Sequence, residues 1–214
     1  MDWICENKDL KNNELVNLKS EGDFLLLKEN VEEGYLLTPV VETDKFTEIT
    51  PSWNSRTSKD SSVELFIKLR VENEWTDFVS YGIWSTDGFN KGIKEREKYE
   101  LIRVSEDRIF VNDGKYGDAV RIKVVLRGNN PKLKLVAFST DGGEDEPSEG
   151  DYLRIIDNIP LISQLASGHI HSNSICSPTS LTMILKFHGK DVNLDRVTRG
   201  TLDSGNEAYG NWPQ

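Results

Sequence analysis

Alternation of apolar and polar residues is the clearest pattern in the first two thirds of the chain. In residues 63–71 every odd-numbered position is Val, Leu or Ile, while the even-numbered positions are charged except for Phe66. A period of two places successive side chains on opposite faces of a strand. Residues 120–127 alternate in the same way, as do Leu133 and Leu135 with their lysine neighbours. The pattern predicts strands that each turn one face toward a core.

Weaker segments of the same kind fill the intervals. We predict further strands at residues 24–28, 35–41, 46–50, 78–84, 101–104 and 108–111. Turn signals separate them, including Asp87-Gly88, Asp113-Gly114 and the Gly-Asn-Asn-Pro run at 128–131. Short strands with turns every ~8–12 residues are typical of an antiparallel sandwich or barrel. We expect an antiparallel β-sandwich over residues 21–140, preceded by a polar leader at residues 1–20.

The pattern changes after this region. Residues 141–151 contain no apolar residue and are rich in Asp and Glu, which indicates an exposed linker at a domain boundary. Cation binding by the acidic run is the alternative, and it would need carboxylates that converge from an ordered loop. Residues 152–214 follow as a second domain.

A helix with recognisable ends is predicted at residues 178–188. Ser177 is the expected N-cap, Pro178 fits the first helical position and Gly189 fits the left-handed C-terminal cap. Leu181, Ile184, Leu185 and His188 share one face of that helix.

The composition limits the kinds of partner that the chain is expected to bind. Of the 214 residues 36% are apolar, and the net charge is −10. Such a surface repels a phosphate backbone, and no basic patch with interleaved aromatic residues interrupts it, so we predict no nucleic-acid partner. No apolar run approaches the ~20 residues needed for a membrane span. The N-terminus has no basic and apolar stretch of the signal-peptide kind.

The chain has two cysteines, and we predict different roles for them. Cys5 lies in the polar leader and is expected to be incidental. Cys176 lies just before the predicted helix, where free backbone N–H groups and the helix dipole favour a thiolate. A thiolate is the reactive nucleophile, and the same N–H groups can stabilise an oxyanion. The alternative is a small buried thiol at a helix start.

The residues around Cys176 carry a family resemblance. The segment 175–183, Ile-Cys-Ser-Pro-Thr-Ser-Leu-Thr-Met, resembles the nucleophile motif of bacteriocin-processing (double-glycine leader peptidase-like) cysteine peptidases, a papain-like family. The Tyr-Gly-Asn-Trp-Pro stretch at 209–213 and the β-rich segment at 24–140 are similar to a secreted branch of that family. In that branch the stretch follows a second short helix, so the resemblance implies a helix at residues 193–198 with Asn193 as its N-cap. Ser177 departs from the family, which usually has Gly after the cysteine.

The resemblance implies a fold and a site. The fold is mainly β plus a small α segment: an antiparallel β-sandwich, then the helical half of a papain-like α+β domain. Cys176 is then the catalytic nucleophile, and Gln164, twelve residues upstream, belongs to the oxyanion hole. A solvated loop residue is the alternative for Gln164. The resemblance also implies a bacterial protein at the cell surface or outside the cell.

The histidine of such a site is harder to assign. A thiol peptidase needs a histidine base and usually an Asn or Asp that orients it. His188 follows Cys176 by twelve residues, which is ~18 Å along a helix axis and too far for proton transfer. His169 and His171 precede the nucleophile, whereas the family supplies its histidine from far downstream. We therefore expect a truncated chain, inactive on its own.

The expected function is hydrolysis of peptide bonds in a peptide or protein substrate, without a cofactor or metal. A non-catalytic β-sandwich that binds a cell-wall glycan or a protein is the alternative, with Trp53, Trp75 and Trp84 as stacking platforms for sugar rings. Those tryptophans are expected in the core instead, because large aromatic side chains dominate cores. A structural domain without a ligand is a third possibility.

Overall fold

The computed structural model describes residues 1–85, 91–106, 108–112, 114–142, 156–203 and 208–209. The chain forms two compact units. The first comprises the described residues up to 142, and the second those from 156 onward. Most of the expected acidic linker, from 143 to 151, lies outside the described residues, as do Asp87-Gly88 and Asp113.

Strands make up most of the first unit. Its described residues form β1 Asp2–Glu6, β2 Glu14–Val16, β3 Leu18–Glu21, β4 Phe24–Leu27, β5 Glu33–Leu37, β6 Val41–Phe46, β7 Glu48–Arg56, β8 Ser61–Val71, β9 Glu74–Trp75, β10 Val79–Trp84, β11 Lys91–Lys98, β12 Ile102–Glu106, β13 Arg108–Val111, β14 Gly117–Gly128 and β15 Lys132–Asp141. A short 3₁₀ helix, Asn7–Asn12, follows β1.

The strands form two antiparallel sheets that share β11. One sheet runs in the order β3-β4-β15-β7-β13-β12, with β1 also paired to β15. The other runs in the order β2-β5-β14-β8-β10, with β6 on β14 and β9 on β8. Strand β11 pairs with β10 of the second sheet and with β12 of the first, so hydrogen bonding passes from one sheet to the other. The prediction of a mainly β protein with an antiparallel sandwich and a small α segment is confirmed.

The period-two pattern predicts the core of β8 and β14 correctly. The odd-numbered residues 63–71 and the even-numbered residues 120–126 are all essentially inaccessible to solvent, and they belong to one cluster. In β15 the expected alternation of Leu133 and Leu135 is wrong, because the pairing with β7 shifts register between these residues. Leu133 remains buried, while Val136 and Phe138 replace Leu135 in the core. An inserted residue in one strand reverses the face of every residue beyond it.

Residues 1–20 differ from the expected polar leader. Strand β1 pairs with β15 over five residues, and β2 and β3 pair with β5 and β4. Cys5, Leu10 and Leu18 are buried among the core residues of the sandwich. Apolar residues in this segment are few and widely spaced, so their contribution to the core is not visible as a periodic pattern.

The second unit is small and helical. Its described residues form α1 Cys176–Phe187, α2 Leu194–Gly200 and a two-stranded ladder of β16 Leu202–Asp203 with β17 Ala208–Tyr209. Asn193 caps α2 as predicted, since its Oδ1 accepts a 2.8 Å hydrogen bond from the Arg196 N–H. Gly189 after α1 has a φ of 71°, the left-handed geometry of a C-terminal cap. Neither helix has the length and apolar character of a membrane span within the described residues.

Helix α1 begins two residues earlier than predicted. Its N-cap is Ile175, and the hydroxyl of Ser177 forms no cap. The expected apolar face is also only partly covered, since Ile184 and His188 are exposed. The buried side of the helix is instead formed by Pro178, Thr179 and Thr182. Hydroxyls on this side donate back to backbone carbonyls one turn earlier, which allows polar residues to line a buried surface.

Candidate active site around Cys176

Cys176 is the first residue of α1, and it is exposed to solvent. The residue before it, Ile175, is fully buried and anchors the helix start. Thr179 reinforces the anchor: both its backbone N–H and its hydroxyl donate to the Ile175 carbonyl, at 3.0 and 2.6 Å. The Cys176 thiol is therefore displayed at the surface by neighbours that are held in place.

The start of α1 has free backbone donors. The N–H groups of Cys176 and Ser177 lie in the first turn, where no intrahelical acceptor exists. Pro178 has no N–H, and the Thr179 N–H is bound to Ile175. The two free N–H groups and the positive end of the helix dipole favour negative charge at this end of the helix. Chemically, the arrangement can stabilise a thiolate on Cys176 or an oxyanion formed beside it.

Ser177 has a different environment from the one its sequence predicts. Its Oγ is buried and has no hydrogen-bond partner among the described residues. A side chain expected to cap the helix is instead directed into the interior of this unit. Since a buried hydroxyl without a partner is costly, this residue is a point of local weakness next to Cys176.

Gln164 lies in a turn twelve residues before Cys176. The Ser167 hydroxyl donates to its carbonyl oxygen at 2.6 Å, which fixes the backbone of this turn. The side chain is half-buried, and within the described part of the chain no hydrogen bond joins it to Cys176. Its place in an oxyanion hole stays a prediction, as does the nucleophilic role of Cys176.

Each of the three histidines has contacts or a position that do not involve the Cys176 thiol. His188 is the C-cap of α1, at the opposite end of the helix from Cys176. His169 Nδ1 accepts a 3.0 Å hydrogen bond from the His171 backbone N–H, and its Nε2 lies 3.8 Å from the Asp195 carboxylate. The His171 ring lies between His169 and Tyr209, with centroid distances of 5.7 and 5.4 Å.

The contact between the His169 ring and the Asp195 carboxylate is of the kind that orients histidines in active sites, and the sequence does not predict it. Asp195 is in the first turn of α2, 26 residues beyond His169, and the contact depends on how the loop packs on that helix. In the sequence, Asp195 reads as an acidic residue that favourably faces the positive end of the α2 dipole, so nothing marks it as a partner of His169. No group of three or more His, Cys, Asp or Glu side chains in the described residues is arranged to hold a metal ion.

The tryptophans proposed as sugar platforms are not adjacent on an exposed face. Trp53 is buried in the core, and Trp84 is half-buried against it. Trp75 is 37% exposed, and the ammonium of Lys68 lies 4.8 Å from its ring centroid. Two of the three side chains thus serve the core, and a sugar platform built from all three does not form.

A β-sandwich followed by a helix that presents a cysteine at its first residue defines a cysteine-peptidase-like protein with an N-terminal β domain. Residues 19–140 match the family model described as "Peptidase C39 N-terminal domain", and residues 156–214 match that of the "Peptidase_C39 like family". The first match spans more than half of the chain, so the protein belongs to the Peptidase C39 N-terminal domain family. The second match contains Cys176 and covers the whole described part of the helical unit, which supports a papain-like C39 fold there.

No curated protein matches the chain. Among solved structures it is similar to a chain of the "Crystal structure of accessory secretory protein 1,2 and 3 in Streptococcus pneumoniae", at 18% identity and a TM-score of 0.33. That alignment covers 63% of this chain and 94% of the other. The similarity is too low to support an argument about fold or function.

Proposed function

We propose that this protein is a cysteine peptidase in which the Cys176 thiolate attacks the carbonyl carbon of a peptide bond. The observation that carries the proposal is the exposure of Cys176 at the first residue of α1, inside the segment that matches the C39-like family. The free N–H groups of Cys176 and Ser177 support the thiolate before attack and the oxyanion after it.

The reaction has two halves. In the first, Sγ bonds to the carbonyl carbon, negative charge develops on its oxygen, and the C–N bond breaks as the amine leaves with a proton. In the second, water hydrolyses the thioester and releases the acid. Gln164 is proposed to donate its side-chain amide to the same oxygen, on the basis of the family resemblance and of its rigid turn before the nucleophile loop.

The proton acceptor is proposed to be a group other than the three histidines of this chain. His188 is at the far end of α1, and both ring nitrogens of His169 face other groups. His171 contacts the rings of His169 and Tyr209. Because no contact between a histidine and Cys176 is found among the described residues, we expect the 214-residue chain alone to be inactive on peptides. A location outside the cell or at its surface is proposed from the resemblance, and cell fractionation tests it.

The rate of alkylation tests the proposal directly. Cys176 is titrated with iodoacetamide across pH 5–10 in the Cys5→Ser background, in the chain alone and in a version extended downstream. A Cys–His pair completed by the extension shifts the apparent pKa well below the ~8.5 of an ordinary thiol. Cys176→Ala removes the signal and any peptide cleavage. An ordinary thiol in both forms, without cleavage in the extended form, would falsify the peptidase assignment.

A further inference from the structure

A cleft of about 260 Å³ in the first unit is lined by residues from β9, from the start of β10 and from the segment between β11 and β12. Trp75 and Tyr99 supply its aromatic walls, and both side chains are partly exposed. Three acidic residues, Glu74, Asp77 and Glu100, also line it. Aromatic surface and carboxylates are therefore combined in one concave site of the first unit.

The two walls of the cleft are held by hydrogen bonds between side chain and backbone. On one side the Thr76 hydroxyl accepts from the Leu69 N–H at 3.1 Å and donates to the Asp77 carbonyl at 2.9 Å. On the other side the Asn112 amide donates to the carbonyls of Tyr99 and Glu100, at 3.1 and 2.7 Å. The cleft is thus formed before any ligand arrives, which lowers the ordering cost of binding.

The three acidic residues of the cleft have no ion-pair partner among the described residues. No lysine or arginine is among the described side chains that line the cleft. The nearest cations lie over the ring of Trp75: Lys68 Nζ at 4.8 Å and the Arg70 guanidinium at 5.9 Å from the centroid. Arg70 already forms ion pairs with Glu42 and Asp118. The Trp75 ring thus already contacts cations of the chain, whereas Glu74, Asp77 and Glu100 form no ion pair within the described residues.

We infer that this cleft binds a lysine or arginine side chain of a polypeptide. The three ionised groups accept hydrogen bonds only, and ammonium and guanidinium groups donate only, so the two sets match. Trp75 and Tyr99 would contact the aliphatic stem of the bound side chain. The volume is below the ~300 Å³ at which sites for whole small molecules begin, and it suits a single side chain. The inference is independent of the peptidase proposal, because the cleft lies within the first unit.

The test follows the indole N–H signal of Trp75 by NMR in the full chain at low salt. This signal is one of five tryptophan indole signals, and Trp75→Phe assigns it. The probes are acetyl-Gly-Lys-Gly-amide, the arginine analogue, the uncharged norleucine analogue and tri-N-acetylglucosamine. We expect the two cationic peptides to shift the signal with dissociation constants of roughly 1 mM, as for a single-side-chain contact. The norleucine peptide and the sugar should leave it unchanged.

Two triple variants with the same change in net charge distinguish binding in the cleft from general attraction of cations to an acidic protein. Glu74→Gln, Asp77→Asn and Glu100→Gln together should weaken binding of the cationic peptides at least tenfold. Glu21→Gln, Asp23→Asn and Glu29→Gln change the net charge equally at exposed positions elsewhere, and they should leave the affinity within about twofold. Equal losses in the two triple variants, equal shifts with the norleucine peptide, or binding of the sugar in place of the cationic peptides would each overturn the inference.

Discussion

The rings of Trp53 and Tyr81 meet edge to face across the interior of the sandwich, with centroids 6.4 Å apart and planes inclined by 77°. Trp53 is on β7 of the first sheet, and Tyr81 is on β10 of the second. Both residues are almost fully buried. Their contact joins the inner faces of the two sheets with the geometry that aromatic quadrupoles favour.

Truncation of Trp53 should therefore destabilise the sandwich strongly. Trp53→Ala removes a large buried side chain and leaves Tyr81 beside a cavity, so we expect a loss of about 3–5 kcal/mol in the free energy of unfolding. Urea unfolding followed by circular dichroism measures it. Trp75→Ala is the control, since Trp75 is 37% exposed and its replacement should cost about 1 kcal/mol or less. Similar losses for the two variants would show that Trp53 does not link the sheets.

Gly128 and Gly114 form a matched pair for testing how closely the 128–131 turn packs against the backbone of Asp60. Both have left-handed φ angles, of 84° and 78°. A Cβ at Gly128 would lie 1.9 Å from the Asp60 carbonyl oxygen, whereas a Cβ at Gly114 would meet nothing within 4 Å. Gly114→Ala should cost only the ~1–2 kcal/mol of left-handed strain. Gly128→Ala should cost clearly more in the same urea experiment, because the 128–131 turn has to move away from Asp60. Equal costs would contradict this arrangement of the turn.

The carboxylate of Glu64 is nearly buried and forms an ion pair with Arg127. Arg127 Nη1 lies 2.5 Å from Glu64 Oε2, and the Ser80 hydroxyl donates to the other oxygen at 2.8 Å. Arg127→Met leaves this carboxylate without its cation, so we expect a loss of about 2 kcal/mol, less than for a fully buried pair because the Arg127 side chain is partly exposed. Lys19→Met is the control, since Lys19 pairs at 3.9 and 4.0 Å with the exposed Glu21 and Glu29. Lys19→Met should lower the free energy of unfolding by less than ~1 kcal/mol. An equal loss for Lys19→Met and Arg127→Met in thermal or urea unfolding would refute the stabilisation of the Glu64 carboxylate by Arg127.

Period-two patterning predicts the central strands because both sheets turn one face inward. It does not predict β11 Lys91–Lys98, whose sequence is rich in charges and whose place depends on pairing with β10 and β12. It also misplaces Leu135, since a register shift between strands is not encoded in the alternation of one strand. Pairing between strands that are distant in sequence therefore decides the place of β11 and the orientation of Leu135, which the local alternation pattern does not determine.

At the candidate site, sequence predicts the feature that is local to α1. A cysteine beside Ser-Pro and an apolar helix is enough to place Cys176 at a helix start. The contact between His169 and Asp195 depends on tertiary packing of a loop on α2, so spacing alone does not reveal it. The start of α1 was misplaced by two residues because Ser177 and Pro178 are both typical of the helix boundary.

Burial raises the pKa of the Cys5 thiol; a hydrogen bond from Asn13 opposes the shift, and the Asp9 charge adds to it. The folded state therefore holds this proton more tightly than the unfolded state. The resulting stability is complete below the unfolded pKa of ~8.5 and is lost as pH rises through the folded pKa. We expect the melting temperature to fall between pH 8 and pH 10, and Cys5→Ala to flatten that fall. Cys176→Ala is the matched control for losing a thiol. An unchanged slope in Cys5→Ala would mean that other groups cause the alkaline loss.

Ser177 and Thr182 offer opposite tests of buried hydroxyls in the same helix. The Ser177 hydroxyl has no partner among the described residues, whereas the Thr182 hydroxyl donates to the Pro178 carbonyl at 2.7 Å. Ser177→Ala removes an unsatisfied buried group, so we expect the second unit to gain about 1 kcal/mol. Thr182→Val keeps the shape but removes a hydrogen bond, and it should cost about 1 kcal/mol. Hydrogen exchange of the α1 amides, followed by mass spectrometry, measures both changes locally. Faster exchange in Ser177→Ala, as in Thr182→Val, would show that the Ser177 hydroxyl stabilises the helix start through a bonded partner.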